Sequence, residues 1–312
     1  MYQKGQSFEL LNALSNVQMH GYVGVLNSCD IYLEDIIKWF FEVYIKNEFG
    51  ANGFICNMPE KSDSILSKYE RVATVMDGET KQFKLFCEEG EIDRELYEMI
   101  SGSVRYKEIP SLIKNKYAYA NSNEIVREMH DMFSDQCMLS YTEKTGSKYN
   151  TFFELLRLEN VKPEEIEEYN FDELNWLLER GVVYVSDGML ALNYERIWIL
   201  KELNDKGVIC LQYKDSDILR KLISEGEIRV ESSLLSESEW EYFNYVLNKS
   251  EFSNGLDLRN RYIHDTNSLD KRHQQNDYIV LLKMFVILVI KINEEFCLQD
   301  KISKKGVDFY EL

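Results

Sequence analysis

The residues with the most chemical reach lie near the end of the chain, in Leu258-Arg259-Asn260-Arg261-Tyr262-Ile263-His264-Asp265. On a helix, positions i and i+4 share a face. This spacing therefore sets Asn260 beneath His264, with Arg259 about 100° round and able to reach the same mouth. Arg259 suits a phosphate, because its planar fork donates two parallel hydrogen bonds and stays charged. His264, with an ordinary pKa of about 6.5, can take or give a proton near neutrality. Asn260 is neutral and orients either the histidine or the phosphate. Cleavage of RNA without a metal needs a base for the 2′-hydroxyl, an acid for the 5′-oxygen and positive charge beside the non-bridging oxygens. One such set supplies a single histidine, so the second proton carrier comes from elsewhere in the chain or from a second copy across a symmetric interface.

The surroundings favour an anion. Between Asp257 and His273 the charged residues are Arg259, Arg261, Lys271 and Arg272 against Asp257, Asp265 and Asp270, a positive window in a chain of net charge −18. Arg261, Lys271 and Arg272 are candidate substrate contacts. Tyr262 either stacks on a base or fills the core.

The run Asn254-Gly255-Leu256-Asp257-Leu258-Arg259-Asn260-Arg261-Tyr262-Ile263-His264 resembles the motif of the HEPN superfamily, an Arg followed by Asn and then, a few residues on, by His. Leu258 before the Arg and Ile263 before the His fit the same pattern. The resemblance spans about fifteen residues and the long apolar helix after them. It implies a C-terminal helical bundle and a metal-independent endoribonuclease that cleaves single-stranded or loop RNA without a cofactor. Arg259, Asn260 and His264 would be catalytic, in a site shared by the two chains of a homodimer. The setting it implies is a bacterial toxin or an antiviral, abortive-infection system. Some members are not catalytic, so the resemblance also admits an adaptor or sensing protein that binds a partner. Asp265 departs from the pattern, where many relatives carry Gly; an acid there orients His264, raises its pKa or repels a phosphate.

Composition bounds the rest. At 45% hydrophobic and 13% aromatic residues, the chain reads as globular. Its charge excludes the extended basic surface of a protein that coats nucleic acid. Six cysteines without a Cys-x-x-Cys pair and four scattered histidines imply no metal site, and they suit reduced thiols in the cytoplasm. Met1-Tyr2-Gln3-Lys4-Gly5 lacks the apolar run of a secretory signal. Residues 278–292 are apolar but interrupted by Lys283 and Lys291. That stretch is shorter than the roughly 20 residues a membrane span needs, which favours a buried helix.

With only three prolines, the chain is expected to be mainly α. Helical periodicity marks 7–19, 30–49 and 62–75, with Asp30 as N-cap and Gly50 as stop of the second. In that second helix Ile31, Ile36, Ile37, Phe40, Phe41 and Tyr44 should form the buried face. Shorter helices are expected over 86–138, where Arg127 and His130 sit too close for the motif and read as helix surface. Helices over 150–158, 163–169 and 171–180 precede a hairpin of 182–185 and 189–192, turned at Ser186-Asp187-Gly188, which together resemble a winged-helix module. Glu164, Glu165, Glu167, Glu168, Asp172 and Glu173 would repel the phosphates of DNA there and favour a protein partner through 149–193. Short strands at 208–211 and 227–230, a helix over 216–224, a capping box at Ser236 and Glu239, and a last helix from Asn276 complete the reading. Three regions follow: N-terminal helices (1–148), the winged-helix-like segment (149–212) and the HEPN-like bundle (213–312), which can pack with the N-terminal helices.

Overall fold

Long helices carry most of the first of two units, which residues 1–113 and 233–307 build together; residues 114–232 make the second. The computed structural model describes residues 1–100, 102, 104–213, 216–249, 251–261 and 270–305. The chain is mainly α, as composition and periodicity imply.

In the first unit, α1 (Gln6–Ser28) runs nine residues past the expected end and buries only Met19. Next, α2 (Leu33–Trp39) leads through a wide π-type turn at Phe40–Tyr44 into α3 (Ile45–Phe49), which Gly50 ends at φ 72°. The expected N-cap Asp30 instead turns left-handed at φ 58°, and Tyr32 holds the cap position. Ile37, Phe40 and Phe41 are buried as expected, but Ile31 and Ile36 stay 45% and 36% exposed. Then α4 (Ile65–Glu89) is capped by the Ser64 hydroxyl, which accepts from the Ser67 N–H at 3.2 Å. Its inner stripe holds Tyr69, Val72, Ala73, Met76 and Phe83. A short α5 (Arg94–Met99) follows, capped by Asp93.

The second unit runs β1 (Tyr117–Ala120), α6 (Asn123–Phe133), α7 (Phe152–Leu158), α8 (Phe171–Glu179), β2 (Val183–Ser186), β3 (Met189–Leu192), α9 (Tyr194–Lys206), β4 (Ile209–Cys210), α10 (Asp217–Ser224) and β5 (Ile228–Glu231). The hairpin β2–β3 pairs Val183 with Leu192 and Ser186 with Met189. Its Asp187-Gly188 turn takes positive φ at both residues, 52° and 75°, the twist a two-residue hairpin loop needs. A separate antiparallel sheet has the order β4-β1-β5, so its centre is Tyr117–Ala120, a strand absent from the helical reading of 86–138. Glu128 of α6 is fully buried between Arg180 and Arg196, while its neighbour His130 is exposed on the helix surface, as expected.

The chain then enters α11 (Glu237–Leu247), opened by the expected Ser236/Glu239 capping box, and α12 (Lys271–Lys305). The last helix starts five residues before Asn276. Asp270 caps it by accepting from the Arg272 N–H at 2.9 Å. Leu281, Leu282, Phe285, Leu288, Ile292 and Phe296 recur along its inner face, against α4, α1 and α2. Among the described residues no helix is long and apolar enough to cross a membrane.

The units do not follow the expected divisions at 148/149 and 212/213. The winged-helix-like segment lies inside a larger unit whose sheet takes strands from 117–120 and 228–231, and the bundle is made from both ends of the chain.

Candidate functional site

The end of α11 builds the site. Its last carbonyls have no partners within the helix and must find them outside. The chain leaves at Asn248, loops, and comes back so that the N–H groups of Leu256, Leu258 and Arg259 donate to the carbonyls of Tyr245, Val246 and Leu247 at 2.8, 3.1 and 3.1 Å. Gly255 permits the return: a Cβ there would lie 2.9 Å from the Asn248 carbonyl oxygen, 3.0 Å from that of Phe252 and 3.2 Å from that of Tyr245. From α4, the Tyr69 hydroxyl donates to the Leu258 carbonyl and ties down the other side of the turn. Arg259 is thus held at the negative end of the α11 dipole, where a cation is favoured.

The helix expected through the motif is not present over 257–261. Asp257 adopts φ 53°, and a single turn follows, with the Asn260 and Arg261 N–H groups donating to the Asp257 carbonyl at 3.2 and 3.0 Å. The Asn260 amide also donates to the Asp257 carboxylate at 2.9 Å, which fixes its plane. Tyr262, Ile263, His264 and Asp265 lie outside the described residues.

The Arg259 guanidinium reaches α4 and pairs with the Asp77 carboxylate. Burial pushes the Asp77 carboxyl up to about 6, against the pull of Arg259 and Lys81. Its second oxygen, Oδ1, and the Tyr106 hydroxyl are both buried without a hydrogen-bond partner among the described residues. The same burial, with Asp77 nearby, raises Tyr106 well above its ordinary value.

These groups flank a cavity of about 540 Å³. Among the described residues four cations line it (Arg105, Lys107, Lys249 and Arg259) against one acid, Glu251, together with the amides of Asn244, Asn248 and Asn260; two of the cations are paired with acids behind them, Arg105 with Glu108 at 3.1 Å and Arg259 with Asp77. Fixed forks and amide donors around a positive cavity are the chemistry of phosphate binding.

Of the residues marked by sequence, Arg259 and Asn260 meet in this cavity. Arg261 turns away, donating to Asp277 at 2.7 Å and to the Leu256 carbonyl at 3.0 Å, and it braces α12 against the turn. Lys271 and Arg272 stand exposed in the first turn of α12 and do not line the cavity. Sequence reasoning missed Asp77, Tyr106, Arg105, Lys107 and Lys249. Only Asp77 carried a signal, as an acid one turn beyond Ala73 on the apolar stripe of α4. Among the described residues, no group of three or more His, Cys, Asp or Glu side chains could hold a metal ion. Comparison of the chain with protein-family models, curated proteins and solved structures finds no match.

Proposed function

We propose that the chain is a metal-independent endoribonuclease of HEPN type, acting on single-stranded or loop RNA in a toxin or antiviral defence setting. One observation carries this reading: in a chain of net charge −18, Arg259 and Asn260 meet three further cations around one cavity. Arg259 and the lysines hold the non-bridging oxygens of the scissile phosphate. The guanidinium has five N–H donors, so its contact with Asp77 leaves others for the substrate. The 2′-oxygen attacks phosphorus, the bond to the 5′-oxygen breaks, and His264 moves the proton. A second His264, from the partner in a homodimer, completes the acid–base pair.

The test is incubation of the purified chain and its Arg259→Ala and His264→Ala forms with RNA in EDTA. The intact chain should leave 2′,3′-cyclic phosphate ends. Each variant should be slower by about 100-fold or more, the usual worth of one acid–base or oxyanion group. Equal cleavage by all three would refute the proposal.

A non-catalytic adaptor is the second reading, and a feature of the second unit favours it. Glu143, Glu164, Glu165, Glu167 and Glu168 surround a groove of about 660 Å³ that holds one lysine, Lys144. Such a surface suits a basic protein partner. Salt-sensitive capture of one partner, unaffected by Arg259→Ala, would support this reading over the first.

A further inference from the structure

Two lysines interrupt the apolar run of α12, and their surroundings differ. Lys291 lies 3.1 Å from the Glu239 carboxylate and 3.0 Å from that of Glu294. Lys283, only 8% exposed, has no carboxylate beside it among the described residues. Its ammonium meets four neutral oxygens: Asn12 Oδ1 at 3.0 Å, Ser15 Oγ at 3.2 Å, Asn16 Oδ1 at 2.6 Å and the Tyr242 hydroxyl at 3.0 Å. An ammonium has three N–H groups, so one of the four contacts can be exchanged without leaving a donor bare. Burial alone lowers this amine to about 8, the mark of a charge that nothing nearby offsets.

Lys283 borders a cleft of about 800 Å³ between α1, α11 and α12, whose walls include Phe8, Leu11, Met19, Tyr22 and Ile287. That size and lining match a small-molecule pocket: mostly apolar surface, with a few polar groups that include Asn12, Ser15, Tyr242 and Lys283. Glu239 also lines the cleft but is engaged by Lys291. Leu11 and Tyr22 remain 65% and 53% exposed, so apolar surface stands open beside the buried cation.

We infer that this cleft binds a single-chain amphiphile with a carboxylate head, the head against Lys283 and the chain along Leu11, Met19 and Ile287. One unbalanced positive charge matches a monoanion, whereas a phosphate dianion would need a second cation. The apolar walls give an aliphatic chain a place to leave water. The inference stands apart from the RNA-cleaving reading and uses none of its residues.

Titration calorimetry with dodecanoate and dodecanol, on the full chain below the micellar range, tests it. Dodecanoate should bind about tenfold more tightly than dodecanol. Lys283→Met should remove that preference. Asn16→Asp is the sharper variant, because it supplies the missing counter-charge without changing shape. It should lose the preference for dodecanoate while unfolding no sooner than the parent chain, which keeps the test open if Lys283→Met does not fold. Equal binding of acid and alcohol, no binding of either, or an Asn16→Asp form that still prefers dodecanoate would overturn the inference. So would a dimer in sedimentation that Leu11→Glu dissociates, since a second copy would then fill the cleft.

Discussion

The pairing of Arg259 with Asp77 sets two effects against each other. The ion pair favours an ionised Asp77, burial disfavours it, and burial wins, lifting the carboxyl from 3.8 to about 6. Between those values the folded chain keeps a proton that the unfolded chain has released. This group's stabilisation is therefore complete below about pH 4 and is lost as pH rises through about 6; the difference is up to about 3 kcal/mol at 1.36 kcal/mol per unit. Glu79, raised to about 8 by burial, slopes in the same direction, so a single curve would mix the two. Asp77→Asn isolates the first. The difference in urea-unfolding free energy between the parent and this variant should change by about 2–3 kcal/mol from pH 4 to pH 7, with the parent losing ground. A constant difference would mean that Asp77 is not perturbed. Near pH 6 half of the Asp77 carboxyls carry the proton, and the ion pair with Arg259 is correspondingly weakened. At this scale the sequence revealed the two groups that share one turn, Arg259 and Asn260. It could not reveal cations at 105, 107 and 249, because nothing in local spacing says which distant side chains will share a cavity.

Among the elements, the return loop after α11 sets the position of the Arg259 backbone, and Gly255 is its tightest point. Gly255→Ala pushes a methyl into three backbone carbonyls, none of which can move aside as a side-chain tip could. It should cost about 1–3 kcal/mol, the usual penalty of overpacking, and displace Arg259 enough to slow any cleavage. Gly21→Ala should go the other way: Gly21 sits inside α1 with nothing within 4 Å of a built Cβ. There the gain in helix propensity is roughly 0.5–1 kcal/mol. Urea titration of the two variants checks both signs, and a stabilising Gly255→Ala would rule out the close approach. The β2–β3 hairpin was legible because Asp187-Gly188 fixes its turn locally. So was α11, through its capping box. The start of α12 is hidden in the sequence because Asp270 reads there as charge near the motif, and only the fold makes it a cap. Strand β1 was missed because four residues, Tyr-Ala-Tyr-Ala, carry no pattern of their own; they become a strand only when β4 and β5, about 90 or more residues later, pair on both sides.

At the scale of the molecule, the second unit is an insertion between the two halves of the first. A linear reading set borders at 148 and 212 because composition changes there, yet the border that matters is where the chain closes on itself. The Asn115 N–H donates to the Ser232 hydroxyl at 2.9 Å, so the unit begins and ends at one place. Everything it needs lies between: its own apolar core, its own sheet, and a charge cluster in which Glu128 accepts from Arg180 at 2.6 Å and from Arg196 at 2.6 and 2.9 Å, while Arg180 also holds Glu227. About 120 residues is an ordinary size for a domain that folds alone. Residues 114–232 expressed without the rest should therefore unfold in one cooperative transition, by circular dichroism and by tyrosine and tryptophan fluorescence alike. Glu128→Ala in this fragment should cost about 3–5 kcal/mol, because it strands the buried Arg196 and takes from Arg180 one of its two carboxylate partners. Removing the exposed His130 by His130→Ala should change stability by no more than about 0.5 kcal/mol. A fragment that shows no cooperative melt would mean that the two units fold only together, and one that tolerates Glu128→Ala as well as His130→Ala would mean that the buried charge cluster does not hold the unit.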